Sequence, residues 1–102
     1  MLDRLTKADF AKSLHTVFTC VLGPDHKLDL ERVELREGRS SLRQEQFALT
    51  FYGPLALPLP QQMYDLQHAA LGEFALFLVP VGKDTQGYYY EAVFNRLLPP
   101  SA

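Results

Sequence analysis

The sequence predicts one mainly β domain, an antiparallel small barrel or sandwich of about six strands with one short N-terminal helix. Three observations support this fold class. Apolar residues recur at every second position through most of the chain, turns rich in Gly and Pro separate these runs at hairpin spacing, and no helical segments alternate with them. Because βαβ alternation is missing, a parallel sheet is not expected. The 102 residues fit a single domain, which we assign to residues 1–102.

The first element is a short helix, assigned to residues 5–14. Thr6 is the expected N-cap, and Asp9 stands three residues later, as in a capping box. Phe10 and Leu14 are four positions apart and therefore share one helical face. A helix of this length is not stable alone in water, so we expect that face to pack against the β core.

The β core is assigned to residues 15–96 and is followed by a tail over residues 97–102. Its apolar positions change phase between Leu30 and Val33. Because a strand face switches only where an extra residue is inserted, a β-bulge is predicted near Glu31–Arg32. The strands are predicted over residues 15–22, 27–36, 45–52, 63–68, 73–81 and 88–95, with a proline-rich loop over residues 55–62.

Charge is concentrated in the first half of the chain. Residues 1–45 contain eight basic and eight acidic side chains, whereas residues 46–102 contain two and four. The strand over residues 73–81 is apolar on both faces, which is typical of a strand covered from both sides. Either the second half forms the interior of the fold, or another chain covers part of it.

Composition and spacing argue against several functions. The formal net charge of −2 gives no general attraction to nucleic acid, and the apolar run Phe74–Val81 is far below the ~18 residues that indicate a membrane span. His15, His26 and His68 show no metal-ligand spacing. We therefore expect no nucleic acid, membrane, metal or cofactor. A single cysteine and a charged N-terminal segment indicate the cytoplasm.

Catalytic chemistry has two candidate side chains, Glu91 and His68. Glu91 has apolar neighbours on both sides, but a strand residue that faces water or pairs with Arg96 is the favoured interpretation. His68 precedes a turn, where an imidazole can hydrogen-bond loop backbone. Cys20 and His15 lie on opposite faces of one predicted strand and form no local dyad. We therefore assign no catalytic residue and expect a non-enzymatic protein.

An apolar docking patch is predicted from the leucines of the proline-rich loop and the tyrosines of the last strand. Tyrosines at positions 88–90 place this residue on both faces of one strand, and tyrosine is enriched at protein interfaces. Alternatively, the loop closes one end of a barrel and leaves no patch. The candidate interface residues are Leu55, Leu57, Leu59, Tyr88, Tyr89 and Val93.

Five segments carry a resemblance to a known family. They follow the pattern FxGP…LPQ…YxLxHxxLG…LFLVPVG…YEAVFN, and Leu5, Asp9 and Phe10 fit a short opening motif. The chain resembles a family of small bacterial domains of this length, of unknown function, some of which neighbour phage-tail-like genes. The resemblance implies an all-β core and a bacterial origin, and it supplies no catalytic residues. The segments are Phe51–Pro54, Leu59–Gln61, Tyr64–Gly72, Leu76–Gly82 and Tyr90–Asn95.

These observations lead to one leading hypothesis and two alternatives. The leading hypothesis is a non-enzymatic protein-interaction or structural module, either a homodimer or a subunit of a bacterial, phage-tail-like assembly, with strand-edge addition as one docking mode. The first alternative is a β-barrel that binds a small molecule or lipid, which requires an interior cavity. The second is an enzyme with an unrecognised site, which requires a cleft with convergent polar groups.

Overall fold

The computed structural model describes residues 5–24, 26–38 and 44–97 of the chain. In this part, one short helix is followed by six strands. The predicted tail lies outside the described residues except for Leu97, the last residue of the final strand. The elements are α1 (Lys7–Ala11), β1 (Phe18–Gly23), β2 (His26–Glu37), β3 (Gln44–Pro54), β4 (Gln62–His68), β5 (Gly72–Lys83) and β6 (Gly87–Leu97).

The six strands close into an antiparallel barrel in the order β1-β2-β3-β6-β5-β4, and β1 pairs with β4 to complete the ring. The predicted mainly β fold class and antiparallel barrel are confirmed. Each described strand has two hydrogen-bonded neighbours in this ring, although the corner strands pair with them along different parts of their lengths.

β2 and β5 are the corner strands of the barrel. The first half of β2 pairs with β1 and its second half with β3, with a register shift between Glu31 and Glu34. β5 likewise changes partner from β4 to β6, with a register shift between Pro80 and Gly82. The bulge predicted in β2 is therefore confirmed. A bulge bends a strand and increases its twist, which allows both strands to turn the corner between the two sides of the barrel.

The barrel consists of two similar halves. Strands of 6, 12 and 11 residues form the first half, β1 to β3, and strands of 7, 12 and 11 residues form the second, β4 to β6. The first strands of the two halves pair with each other, and so do the third strands. Because β3 and β4 are not neighbours, the segment that joins them crosses one end of the barrel.

α1 closes the opposite end, which we call the lower end. Its capping box forms as predicted, because Asp9 N donates to Thr6 Oγ1 (3.0 Å) and Thr6 N donates to Asp9 Oδ2 (2.8 Å). Phe10 is fully buried, and its ring centroid lies 5.3–6.2 Å from those of phenylalanines on β3, β5 and β6. The predicted packing of this helical face against the β core is thus confirmed for Phe10.

The helix and the first strand are both shorter than predicted. The helix ends at Ala11 instead of residue 14, and β1 begins at Phe18 instead of residue 15. His15 lies between them with a φ of 63°, in the left-handed region. The chain therefore changes direction at His15, where a continuous strand was expected.

The loop over residues 55–61 closes the upper end of the barrel. Leu59 is 4% exposed and belongs to the core. Its backbone N–H donates a hydrogen bond of 2.9 Å to the hydroxyl of Tyr90, which is itself fully buried. The loop therefore acts as the plug that was the alternative interpretation of this segment, and Leu59 is not a surface residue.

Buried apolar side chains fill the barrel between these two ends. The inward phase predicted for the strand over residues 45–52 is confirmed, because Phe47, Leu49 and Phe51 are at most 2% exposed. Leu66 on β4 is also fully buried. Alternate residues of every long strand thus face one shared core.

β5 differs from its prediction. Its inner residues Phe74, Leu76 and Leu78 are buried, but Phe77 is 46% exposed and Val81 is 53% exposed. The prediction that both faces of this strand are covered is therefore wrong for the single chain. The reason is that α1 and the crossing loop occupy the ends of the barrel, and neither lies over the outer side of β5.

Candidate interaction surface

The predicted interface residues do not form one patch. Leu55 and Leu57 lie on the loop at the upper end, where Leu55 is exposed and Leu57 is half-buried. Tyr88 is half-buried and packs against the core. Val93 is 70% exposed, but it lies opposite Ala48 towards the lower end of β6. Val93 is therefore separated from Leu55, Leu57 and Tyr88, which lie at the upper end, and Leu59 is buried, so the six residues do not form one apolar patch.

Tyr89, another predicted interface residue, is held by the turn between β5 and β6. Its hydroxyl donates to Asp84 Oδ2 (3.1 Å), and the Tyr52 hydroxyl donates to Asp84 Oδ1 (2.6 Å). The bond from Tyr52, together with those from the backbone N–H groups of Gln86 and Gly87, lowers the pKa of the Asp84 carboxyl to about 2. A Cβ at Gly87 would lie 2.6 Å from Tyr52 Cζ, so this turn requires glycine. The hydrogen bonds to Asp84 therefore stabilise the turn between β5 and β6.

Glu91 forms an ion pair with Arg36, whereas the sequence suggested Arg96. Arg36 Nη2 lies 2.8 Å from Glu91 Oε2 on the outer side of the barrel. Arg96 instead donates to the carbonyl of Leu5 (2.6 Å) and lies over two phenylalanine rings beside α1. The expected Glu91–Arg96 pair is therefore wrong, and Glu91 is a paired carboxylate.

His68 holds the turn between β4 and β5, as the sequence suggested. Its Nδ1 accepts hydrogen bonds from the backbone N–H groups of Ala70 (3.0 Å) and Leu71 (3.3 Å). A neutral imidazole then carries its proton on Nε2, which lies 2.7 Å from Thr16 Oγ1. Partial burial lowers the pKa of His68 and favours this neutral form. His68 in this tautomer has no free acceptor with which to remove a proton from Thr16.

Glu91 and His68, the two candidate catalytic side chains, lie far apart in the barrel. Glu91 lies opposite Val79 of β5 and His68 lies opposite Gly72, which places them about 23 Å apart along the strand. Cys20 is fully buried, and desolvation raises the pKa of its thiol to about 11.

Across the described ranges, no group of His, Cys, Asp and Glu side chains is arranged to hold a metal ion. In those same ranges, no helix is long and apolar enough to span a bilayer.

The outer side of β4 and β5 carries a row of apolar side chains. Met63 and Phe77 are direct cross-strand neighbours and are 57% and 46% exposed. Ala75 and Val79 flank Phe77 on the same face and are half-buried, and Val81 at the bulge is 53% exposed. We call these five residues the β5 strip. Exposed apolar residues are ordinary when scattered, whereas a contiguous row is a candidate interaction surface.

An open groove of about 610 Å³ borders the lower part of the β5 strip. Val21 and Ala75 contribute apolar lining, and the exposed carboxylates of Asp65 and Glu73 contribute negative charge. Gln67 donates to Glu73 Oε1 (3.1 Å), which orients that carboxylate. The lower part of the strip is therefore bounded by acidic groups.

Comparison with known proteins identifies the family. A family described as Domain of unknown function (DUF6916) matches residues 5–94. The chain belongs to this family. The DUF6916 match starts just before α1 and ends within β6, and it confirms the resemblance to a small domain family of unknown function. Searches of curated proteins and of solved structures found no match.

Sequence reasoning missed the β5 strip as a surface of this DUF6916 domain, although its signal was present. The strand over residues 73–81 is apolar in both phases. This pattern predicts that both phases are covered, but the chain covers only the inner one. An apolar outer phase on a strand without an overlying element is the signal that indicates this surface.

Proposed function

We propose that this DUF6916 domain is a non-enzymatic protein-interaction module that docks through the β5 strip. The observation that carries the proposal is the exposure of Met63, Phe77 and Val81, each between 46% and 57%, along two adjacent strands. Apolar surface in water is unfavourable, and its burial by a partner drives association. Because the strip lies on a closed barrel, it is presented to the partner with little loss of conformational freedom.

The geometry supports this function over the two alternatives. Phe10 and Leu59 are buried at the two ends of the barrel and apolar side chains pack between them, which supports surface docking over interior binding of a lipid or small molecule. Among the side chains considered for catalysis, His68 lacks a free acceptor, Glu91 is paired with an arginine, and the Cys20 thiol is buried. A solvent-facing docking surface is the function that remains well supported.

As the setting of this interaction we propose a bacterial assembly in the cytoplasm, with a phage-tail-like particle as the leading candidate. The resemblance to a family of small bacterial domains supports the bacterial origin, and the phage-tail-like genes beside some of its members support the assembly. The buried, unpaired Cys20 supports a reducing compartment, because the fold has no need of a disulfide.

Photo-crosslinking in the source cells tests the docking surface. The photoreactive residue p-benzoylphenylalanine replaces Phe77 in one variant and Glu34, exposed on β2, in the control. We expect one discrete crosslinked product from position 77 and none from position 34. A Val81→Asp substitution in the strip should abolish the product, whereas Val93→Asp on β6 should not. The same products from both labelled positions, or equal loss with both Asp variants, would contradict the proposal.

A further inference from the structure

Two consecutive turns of the barrel are held in the same way by different side chains. In the turn between β4 and β5, His68 Nδ1 accepts the backbone N–H groups two and three residues further along, at 3.0 and 3.3 Å. In the turn between β5 and β6, Asp84 Oδ1 accepts the backbone N–H groups at the same two positions, at 2.8 and 2.9 Å. The imidazole nitrogen therefore has the acceptor role that a carboxylate oxygen has in the next turn. The two acceptors differ in the pH at which they take up a proton.

The hydrogen bonds around His68 allow one protonation state. The backbone N–H groups of Ala70 and Leu71 can only donate, so Nδ1 must present a lone pair to them. On the other side of the ring, Nε2 lies 2.7 Å from Thr16 Oγ1, whose single hydroxyl proton is donated to the carbonyl of Ser13. Thr16 therefore accepts from Nε2. Both sides of the ring require the neutral imidazole with its proton on Nε2.

A second proton on the ring is incompatible with the closed turn. It occupies Nδ1 and points at two N–H donors, so both hydrogen bonds to the turn are lost, whereas the bond from Nε2 to Thr16 can persist. Gly72, at the end of the turn, has a φ of 82° and no atom within 4 Å of an added Cβ. Leu71 is half-buried and packs against the core. Movement of the turn therefore exposes Leu71.

The elements packed against His68 carry few groups that affect its protonation. β1 contributes no charged side chain. Glu73 borders the same groove as His68, and its negative charge favours an imidazolium. Partial burial opposes the imidazolium and prevails, because desolvation lowers the pKa of His68. The charged and titratable side chains of the other elements around His68 are Asp65 on β4, Glu73 on β5, Asp9 on α1, and Lys12 and His15 before β1.

We infer that His68 is a pH-dependent latch of the β4–β5 turn, closed at neutral pH and released when the imidazole takes up a second proton. Release is confined to this turn, because α1 remains held by the buried Phe10 and by the ion pair of Lys7 with Glu37. The β5–β6 turn stays closed over the same pH range, because the pKa of the Asp84 carboxyl is about 2. None of the five residues of the β5 strip takes part, so the latch is independent of the proposed docking.

An NMR titration of the ¹⁵N-labelled, unmodified chain from about pH 8 to about pH 5 tests the inference. At the upper pH, the imidazole nitrogen shifts should place the proton on Nε2. As the pH falls, the amide signals of Ala70 and Leu71 should move together with the His68 ring signals, with one midpoint below 6.5. Their protection against solvent exchange, corrected for intrinsic rates, should fall by up to about tenfold per pH unit, because opening is linked to uptake of one proton. The amides of Gln86 and Gly87 are the internal control and should keep their protection.

Two substitutions separate the pH response from a purely structural role of His68. His68→Asp supplies a carboxylate acceptor like that of Asp84, so the amides of Ala70 and Leu71 should stay protected across the whole range. His15→Gln removes the nearby exposed histidine and should leave the response unchanged.

Three results would each overturn the inference. They are amides of Ala70 and Leu71 that do not titrate with His68 in the unmodified chain, a response that persists in His68→Asp, and a response that disappears in His15→Gln. The first is measured on the unmodified chain and decides the matter even if His68→Asp does not fold.

Discussion

Replacement of Phe10 by alanine tests whether α1 is an integral part of the barrel. Phe10 is fully buried, and its ring centroid lies 5.3 Å from that of Phe94, 5.9 Å from that of Phe74 and 6.2 Å from that of Phe47. Truncating a buried phenylalanine removes its transfer free energy and leaves a cavity, at a cost of about 3–5 kcal/mol. Because small domains unfold with only about 5–15 kcal/mol, Phe10→Ala should lose a large part of the stability.

Urea denaturation followed by circular dichroism measures this loss. Val93→Ala is the matched control, because it also truncates an apolar side chain but at a position that is 70% exposed. We expect less than about 0.5 kcal/mol for the control. A loss below about 1 kcal/mol for Phe10→Ala would refute the reasoning, because the lower end of the barrel would then be stable without its aromatic plug.

Four further predictions concern single groups. Tyr90→Phe removes the acceptor of the Leu59 N–H and should lower the free energy of unfolding by about 1–3 kcal/mol in urea titrations; an unchanged midpoint would contradict it. Because its thiol pKa is raised to about 11, Cys20 should react with iodoacetamide far more slowly in the folded protein than in urea, and equal rates would exclude the burial. The pKa of His68 is lower in the folded protein than its ordinary value of 6.5, so His68 contributes stability above pH 6.5 that declines as the pH falls through the folded-state pKa. Over this pH range, the melting temperature of His68→Gln should therefore depend less on pH than that of the original protein. The lowered pKa of Asp84 contributes stability that is present above pH 3.8 and is lost as the pH falls towards about 2. In Asp84→Asn, the melting temperature should therefore change less with pH in this acidic range.

The phase of the strands could be predicted from the sequence because it is a local property. Alternation placed Phe47, Leu49 and Phe51 on the inner face, and a break in alternation located the β2 bulge. The ends of α1 and β1 could not be predicted in the same way. The residues around His15 have no glycine or proline that marks a turn, and its left-handed conformation depends on the path from α1 into the barrel.

Contacts between distant residues were beyond local patterns. Arg36 and Glu91 are 55 positions apart and meet because β2 and β6 both flank β3. Glu91 pairs with Arg36 and not with the nearby Arg96 because of this strand order. The alternation of apolar and polar residues along the chain does not specify the order of the strands. Leu59 likewise became a core residue because the loop must cross from β3 to β4 over the barrel end.

The two halves of the barrel give an internal comparison for the β5 strip. β2 and β5 are both 12-residue corner strands, and each carries a bulge where it changes partner. The outer positions of β2 hold exposed charged residues, Lys27, Asp29 and Glu31 among them, whereas the corresponding side of β5 holds Ala75 and Phe77. Since a charged outer side satisfies the same architecture in β2, the architecture does not require an apolar one in β5. The apolar outer side of β5 therefore supports the contact with a partner that we propose for this strand.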